Sequence, residues 1–189
     1  MEKKRGEYEI FSSGGNMDLN LFRMGYFILY KRGTGFDIFG KGIEMRQRMA
    51  GFKGDNATFT HIEVSGGEIH SINISPPISK LVEITKAHKG RHIRLVRYKN
   101  SDYELKGRYK VAYFSAALCN TKYDKFGIIR FLIKWVKEDN RKWFCSEGAA
   151  YSLQKVYPEA NGNLPPKKWM PAHFTTKDFE TVWEGEIPK

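Results

Sequence analysis

Apolar and polar positions alternate most regularly between Phe59 and Ile72. Phe59-Thr60-His61-Ile62-Glu63-Val64-Ser65 steps with period two, Gly66-Gly67 interrupts it, and Glu68-Ile69-His70-Ser71-Ile72 resumes it. Period two marks strands, and a glycine pair between two such runs predicts a two-residue hairpin. That turn sets Ser65 opposite Glu68, Val64 opposite Ile69 and Glu63 opposite His70. Directly paired residues share a sheet face, so this register gathers His61, Glu63 and His70 on one side.

Further strands are predicted at Met24–Tyr30, closed by Lys31-Arg32-Gly33, and at His92–Tyr98, where Arg94 and Arg97 are expected to face solvent. Residues 36–50 mix apolar and basic positions as a short helix would. Residues 78–90, after Pro76-Pro77, read as a short amphipathic stretch or a loop. Helical spacing of Val111, Phe114, Ser115 and Leu118 predicts a helix over 106–118. Phe126–Val136 is strongly apolar, with Arg130 and Lys134 as interruptions, and reads as a buried or half-buried element. A last helix is predicted from about Cys145 to Val156, with Cys145, Ala149, Leu153 and Val156 near one face. Pro165-Pro166 and an aromatic segment, Phe179–Trp183, follow. Strands and helices without a βαβ rhythm imply an α+β class. The polar, glycine-rich residues 1–20 are expected to be peripheral, leaving 21–189 as a single domain.

Composition narrows the field. A chain of 189 residues with 13 Phe, 10 Tyr and 4 Trp has ample surface to bury, which argues against disorder. No apolar run reaches the roughly 18 residues of a membrane span. Met1-Glu2-Lys3-Lys4-Arg5-Gly6 leads into polar sequence, not the apolar core of a signal peptide, so a cytoplasmic protein is expected. Net charge is +11, which favours polyanionic partners and says nothing of fold. A cationic run, with Lys89, Arg91, Arg94 and Arg97 at its centre, is compatible with a weak polyanion contact, although such runs are ordinarily solvated surface. It carries no nucleic-acid module signature. The small size and basic charge also suit a phage or virion-associated protein.

The two cysteines, Cys119 and Cys145, are too few for a disulfide framework or a four-cysteine zinc site. No histidine or cysteine pair has metal-ligand spacing, and no phosphate-binding glycine loop occurs, so neither metal nor nucleotide cofactor is expected. Cys145 stands at the predicted start of a helix, where unpaired N–H groups and the helix dipole stabilise a thiolate. A thiol nucleophile needs a base within reach and a polar group to orient that base. His61 suits the base; His70 or Glu63 suits the orienting group.

These residues, in this order, resemble a family. Gly25-Tyr26-Phe27-Ile28-Leu29-Tyr30 is followed by Thr60-His61-Ile62-Glu63-Val64 and a glycine turn. Downstream come Tyr123-Asp124-Lys125-Phe126-Gly127-Ile128-Ile129 and Trp143-Phe144-Cys145-Ser146-Glu147. The pattern is similar to the circularly permuted NlpC/P60 group of papain-like cysteine hydrolases, near its YiiX-like branch, in which the histidine strand precedes the cysteine helix. The resemblance covers roughly residues 24–157, with Pro171–Phe179 like the family's closing segment. It implies an antiparallel sheet with the nucleophile at a helix N-terminus, Cys145 as nucleophile and His61 as general base. The polar third position, on the strand after the histidine strand, matches His70. Glu63, Ser146 and Glu147 would be secondary catalytic or substrate-binding residues. The implied activity is thiol-dependent hydrolysis of amide or ester bonds in a cell-wall peptide or lipid acyl substrate, without a cofactor. Glu63 stands where the family often has a small residue, and Gly148-Ala149-Ala150 where a bulkier aliphatic residue is usual. The alternative is a catalytically idle, basic binding or virion-associated module of the same fold.

Overall fold

The computed structural model describes residues 17–33, 38–124 and 142–189. Eight strands and four α-helices are placed among them: β1 Phe27–Lys31, α1 Ile38–Met49, β2 Phe59–Gly67, β3 His70–Asn73, β4 Lys80–Glu83 and α2 Ile84–Ala87. Then come β5 His92–Tyr98, α3 Arg108–Ala116, β6 Lys122–Tyr123, β7 Lys142–Trp143, α4 Cys145–Gln154 and β8 Phe179–Glu186. Six strands form one antiparallel sheet in the order β4-β3-β2-β1-β5-β8, and β6 pairs with β7 in a separate parallel pair. The class is α+β. Phe126–Val136 lies outside the described residues, as do residues 1–16.

Strand β2 is buried on both faces. Thr60, Ile62 and Val64 alternate with Glu63 and Ser65, and all five are buried. Such a strand has no solvent side on which to place its polar residues, so each needs an internal partner. Ser65 finds one in the Phe22 carbonyl at 3.1 Å. Glu63 finds several, described below. Met17 and Leu19, within the stretch expected to be peripheral, pack against the core that begins at Phe22 and runs to Ile187.

The β2–β3 register corrects the expected hairpin. Gly66 and Gly67 close strand β2, and the turn falls on Glu68-Ile69. Val64 pairs with Ile72, Ser65 with Ser71 and Gly67 with His70, with a bulge between Ser65 and Gly67. The physical reason is Gly67, whose φ of +126° is open to glycine and strained for other residues. Ser71 therefore shares the Glu63 face, whereas His70, its neighbour on β3, turns to the opposite one. Residues 78–90 also differ from expectation, since they supply the edge strand β4 and the single turn α2.

Two residues fix how the layers meet. Gly25, at φ +88°, enters β1 so close to α3 that a Cβ would lie 2.0 Å from the Arg108 carbonyl oxygen. Gln47 on α1 is fully buried; its Nε2 donates to the carbonyls of Ala57 at 2.8 Å and Phe59 at 2.9 Å. Its Oε1 accepts from the Ala172 N–H at 2.8 Å. One side chain thus ties α1 to the start of β2 and to the 3-10 turn Pro171–Thr175. Gln47→Leu strands three buried backbone groups at a cost of about 1–3 kcal/mol each before relaxation. A loss of at least about 2 kcal/mol in urea unfolding is expected; an unchanged midpoint would contradict the role given to Gln47.

Candidate functional site

The site begins with the carboxylate that β2 buries. Glu63 is 1% exposed. Alternation places His61 on its side of the strand. The pairs Tyr30↔His61 and Ser65↔Ser71 bring Tyr30 and Ser71 to the same side. Their polar atoms converge on the carboxyl group. Tyr30 Oη donates to Glu63 Oε2 at 2.9 Å, and the Ser71 hydroxyl donates to the same oxygen. His61 Nε2 lies 3.1 Å from Oε1, and His88 Nε2 lies 2.8 Å from that same oxygen.

This arrangement fixes charge and tautomer together. Burial alone would push the Glu63 carboxyl up, but the histidine contacts outweigh it and hold the group well below the usual carboxylate range. An ionised carboxylate only accepts hydrogen bonds, so His61 must carry a proton on Nε2. Nδ1 is then the nitrogen left to serve as base. His61 also lies close enough to Cys145, at the start of α4, to interact with it electrostatically.

Burial draws the His61 pKa down, yet the interactions with Cys145 and then with Glu63 raise it to about 10. Positive charge on the imidazole is favoured by its neighbours on both sides, Cys145 and Glu63. Cys145 itself is 4% exposed, and His61 keeps 23% of its side chain open. Phe144, extended at φ −107° and ψ 165°, starts α4 without a side-chain cap. Cys145 stands at the positive pole of the dipole of this ten-residue helix. Tyr123 lies in the field of Cys145 and Asp124; burial first, then those negative charges, push its phenol up and keep its O–H protonated.

The other residues singled out in the sequence fall elsewhere. His70 pairs with Gly67 and Glu83 in the backbone register, facing away from His61, so it does not orient that imidazole. Ser146 is buried and donates to the Trp169 carbonyl at 2.8 Å, anchoring α4 rather than lining an open cleft. Glu147 is half-buried in the first turn of α4. Gly148 leaves room for Ile74, the residue after β3, since a Cβ there would sit 2.2 Å from Ile74 Cδ1. Cys119 is a free, half-buried thiol, pushed up by burial.

The expected cationic stripe is not gathered. Arg94 and Arg97, three apart on β5, fall on opposite faces. Arg94 donates to Glu184 at 2.6 Å and to Asn56 at 2.7 Å, above the Phe59 ring. Arg97 is held by Glu180 at 2.7 Å and Glu104 at 3.1 Å. Arg91 donates to the Lys31 carbonyl at 2.7 Å, and of the four only Lys89 is exposed. His88, by contrast, joins the site although nothing in its sequence neighbourhood marks it. It caps the single turn α2, and only the tertiary fold brings it to Glu63.

No family model and no curated protein sequence matches the chain.

Removing the Cys145 side chain isolates its effect on the imidazole. In Cys145→Ala the His61 pKa should fall by about 1–3 pH units, read from its imidazole signals by NMR. The linkage sign follows: a raised His61 pKa contributes stability below its ordinary 6.5 that is lost as pH rises through about 10. Wild-type stability should therefore decline across that window, and Cys145→Ala should flatten the decline. A His61 titration unaltered by the substitution would show that the two groups do not interact.

Proposed function

We propose that the protein is a cysteine hydrolase of amide or ester bonds, of the permuted NlpC/P60, papain-like kind. The observation that carries this reading is the contact of His61 with Cys145 at a helix start, with Glu63 behind the imidazole. Chain order supports it too: the histidine strand precedes the cysteine helix, as in the family that the sequence resembles. His61 accepts the proton of the Cys145 thiol, and the thiolate attacks the carbonyl carbon of the acyl group. N–H groups in the first turn of α4 hold the oxyanion. Imidazolium returns its proton to the leaving amine or alcohol. Water then attacks the thioacyl-enzyme with His61 again as base, releasing the acid and restoring the thiol. In this reading the third member is Glu63 in place of His70.

The substrate is an acyl compound of peptide or lipid type, in line with the resemblance. A basic binding module without turnover is the less favoured reading, because Arg94 and Arg97 are occupied by acidic partners.

Iodoacetamide labelling of Cys145 and Cys119 across pH, followed by peptide mass spectrometry, tests the pair without knowledge of the substrate. Cys145 should label faster than Cys119 at neutral pH and lose that advantage in His61→Ala. Hydrolysis of a panel of acyl amides and esters should vanish in Cys145→Ala with unchanged circular dichroism. Turnover retained in that variant would refute the mechanism.

A further inference from the structure

We propose that His88 is a positioning residue: its imidazole secures the ionised Glu63 carboxylate that holds His61 in register with Cys145. The inference rests on the thiol–imidazole reading above and names a fourth residue for it. Three observations carry it. His88 arrives from outside the hairpin, at the end of α2, and puts Nε2 2.8 Å from the same Oε1 that His61 engages. Its side chain is 12% exposed, and Nε2 is buried and makes no aligned hydrogen bond, so its 2.8 Å approach to Glu63 Oε1 is an electrostatic contact. Its ring rests on Tyr30 at 4.4 Å between centroids, and Tyr30 is the residue that donates to Oε2.

A nitrogen lone pair cannot sit at that distance from a carboxylate oxygen, so His88 must carry its proton on Nε2. Its Nε2, 2.8 Å from Oε1 although the N–H is not aligned on that oxygen, adds one more favourable electrostatic contact to a charge removed from water. Glu63 is then met from each element around it: His61 on β2, Tyr30 on β1, Ser71 on β3 and His88 after α2. Cys145 on α4 stands beyond His61, and the Arg91 guanidinium lies 6.0 Å from the centre of the Tyr30 ring. Oε2 is served by two hydroxyls and Oε1 by two imidazoles. Without His88, the oxygen that orients His61 keeps only the partner it is meant to orient. The carboxyl group then protonates more readily, and a protonated carboxyl no longer dictates the His61 tautomer.

Packing and proton donation are separable by substitution. His88→Phe keeps a ring against Tyr30 and removes the N–H; His88→Gln gives up the ring and keeps a donor. The readouts are the carbon-13 carboxyl shift of Glu63 against pH and the labelling rate of Cys145 by iodoacetamide at pH 7. Both are taken on full-length protein, within the pH range where circular dichroism shows the fold intact. In the wild type Glu63 should stay ionised to the acid limit of the fold. In His88→Phe it should take up a proton within the ordinary carboxylate range, about pH 4–5, and Cys145 labelling should slow about tenfold. In His88→Gln both should stay near wild type, with labelling within about threefold. If His88→Phe leaves the Glu63 titration and the labelling rate unchanged, His88 only fills space and the proposal is wrong. Should the Phe variant not fold, His88→Leu is read by the same criteria. A wild-type Cys145 that labels no faster than Cys119 contradicts the thiol hydrolase reading instead, and the Glu63 titration still decides the role of His88.

Discussion

The site depends on keeping one carboxylate charged where water cannot reach it. An ion taken into a protein interior costs several kcal/mol even after relaxation. A single hydrogen bond to a charged group returns roughly 1.5–3 kcal/mol. No one partner of Glu63 therefore holds it ionised; Tyr30, Ser71, His61 and His88 do so together. The same charge that needs these partners fixes which nitrogen of His61 is free for the thiol.

The sheet explains why the partners meet. β2 is covered on both faces, so Glu63 points inward and is isolated from solvent. β1 and β3 flank β2 and deliver Tyr30 and Ser71 by register. Helix α4 then presents Cys145 from its first turn, where the backbone already favours negative charge. Gln47 and Gly25 act at a distance, since each sets how a neighbouring layer approaches β2 or β1.

Much of this was legible in the chain. Period two between Phe59 and Ser65 announced the strand and put His61 and Glu63 on one face, and the apolar spacing after Cys145 announced the helix. The hairpin register was not legible, because a glycine pair reads as a turn whereas Gly67 here ends a strand at positive φ and forms a bulge. That displacement exchanged Ser71 for His70 at the site. His88 was hidden for another reason: it follows a four-residue turn in a polar stretch, and its partner is brought to it only by the packing of β1, β2 and β3. Arg94 and Arg97 looked like free cations because their acidic partners, Glu184, Glu180 and Glu104, are distant in sequence or lie on another element.

The claim that a charged Glu63 organises the thiol and imidazole is tested most directly by Glu63→Gln. The amide keeps the shape and one accepting oxygen, removes the charge and turns the other acceptor into a donor. Iodoacetamide labelling of Cys145 at neutral pH in that variant should fall toward the rate of a thiol without an imidazole partner, with the fold intact. A Glu63→Gln protein whose Cys145 labels as fast as the wild type would show that the pair assembles without the carboxylate, and would overturn the account.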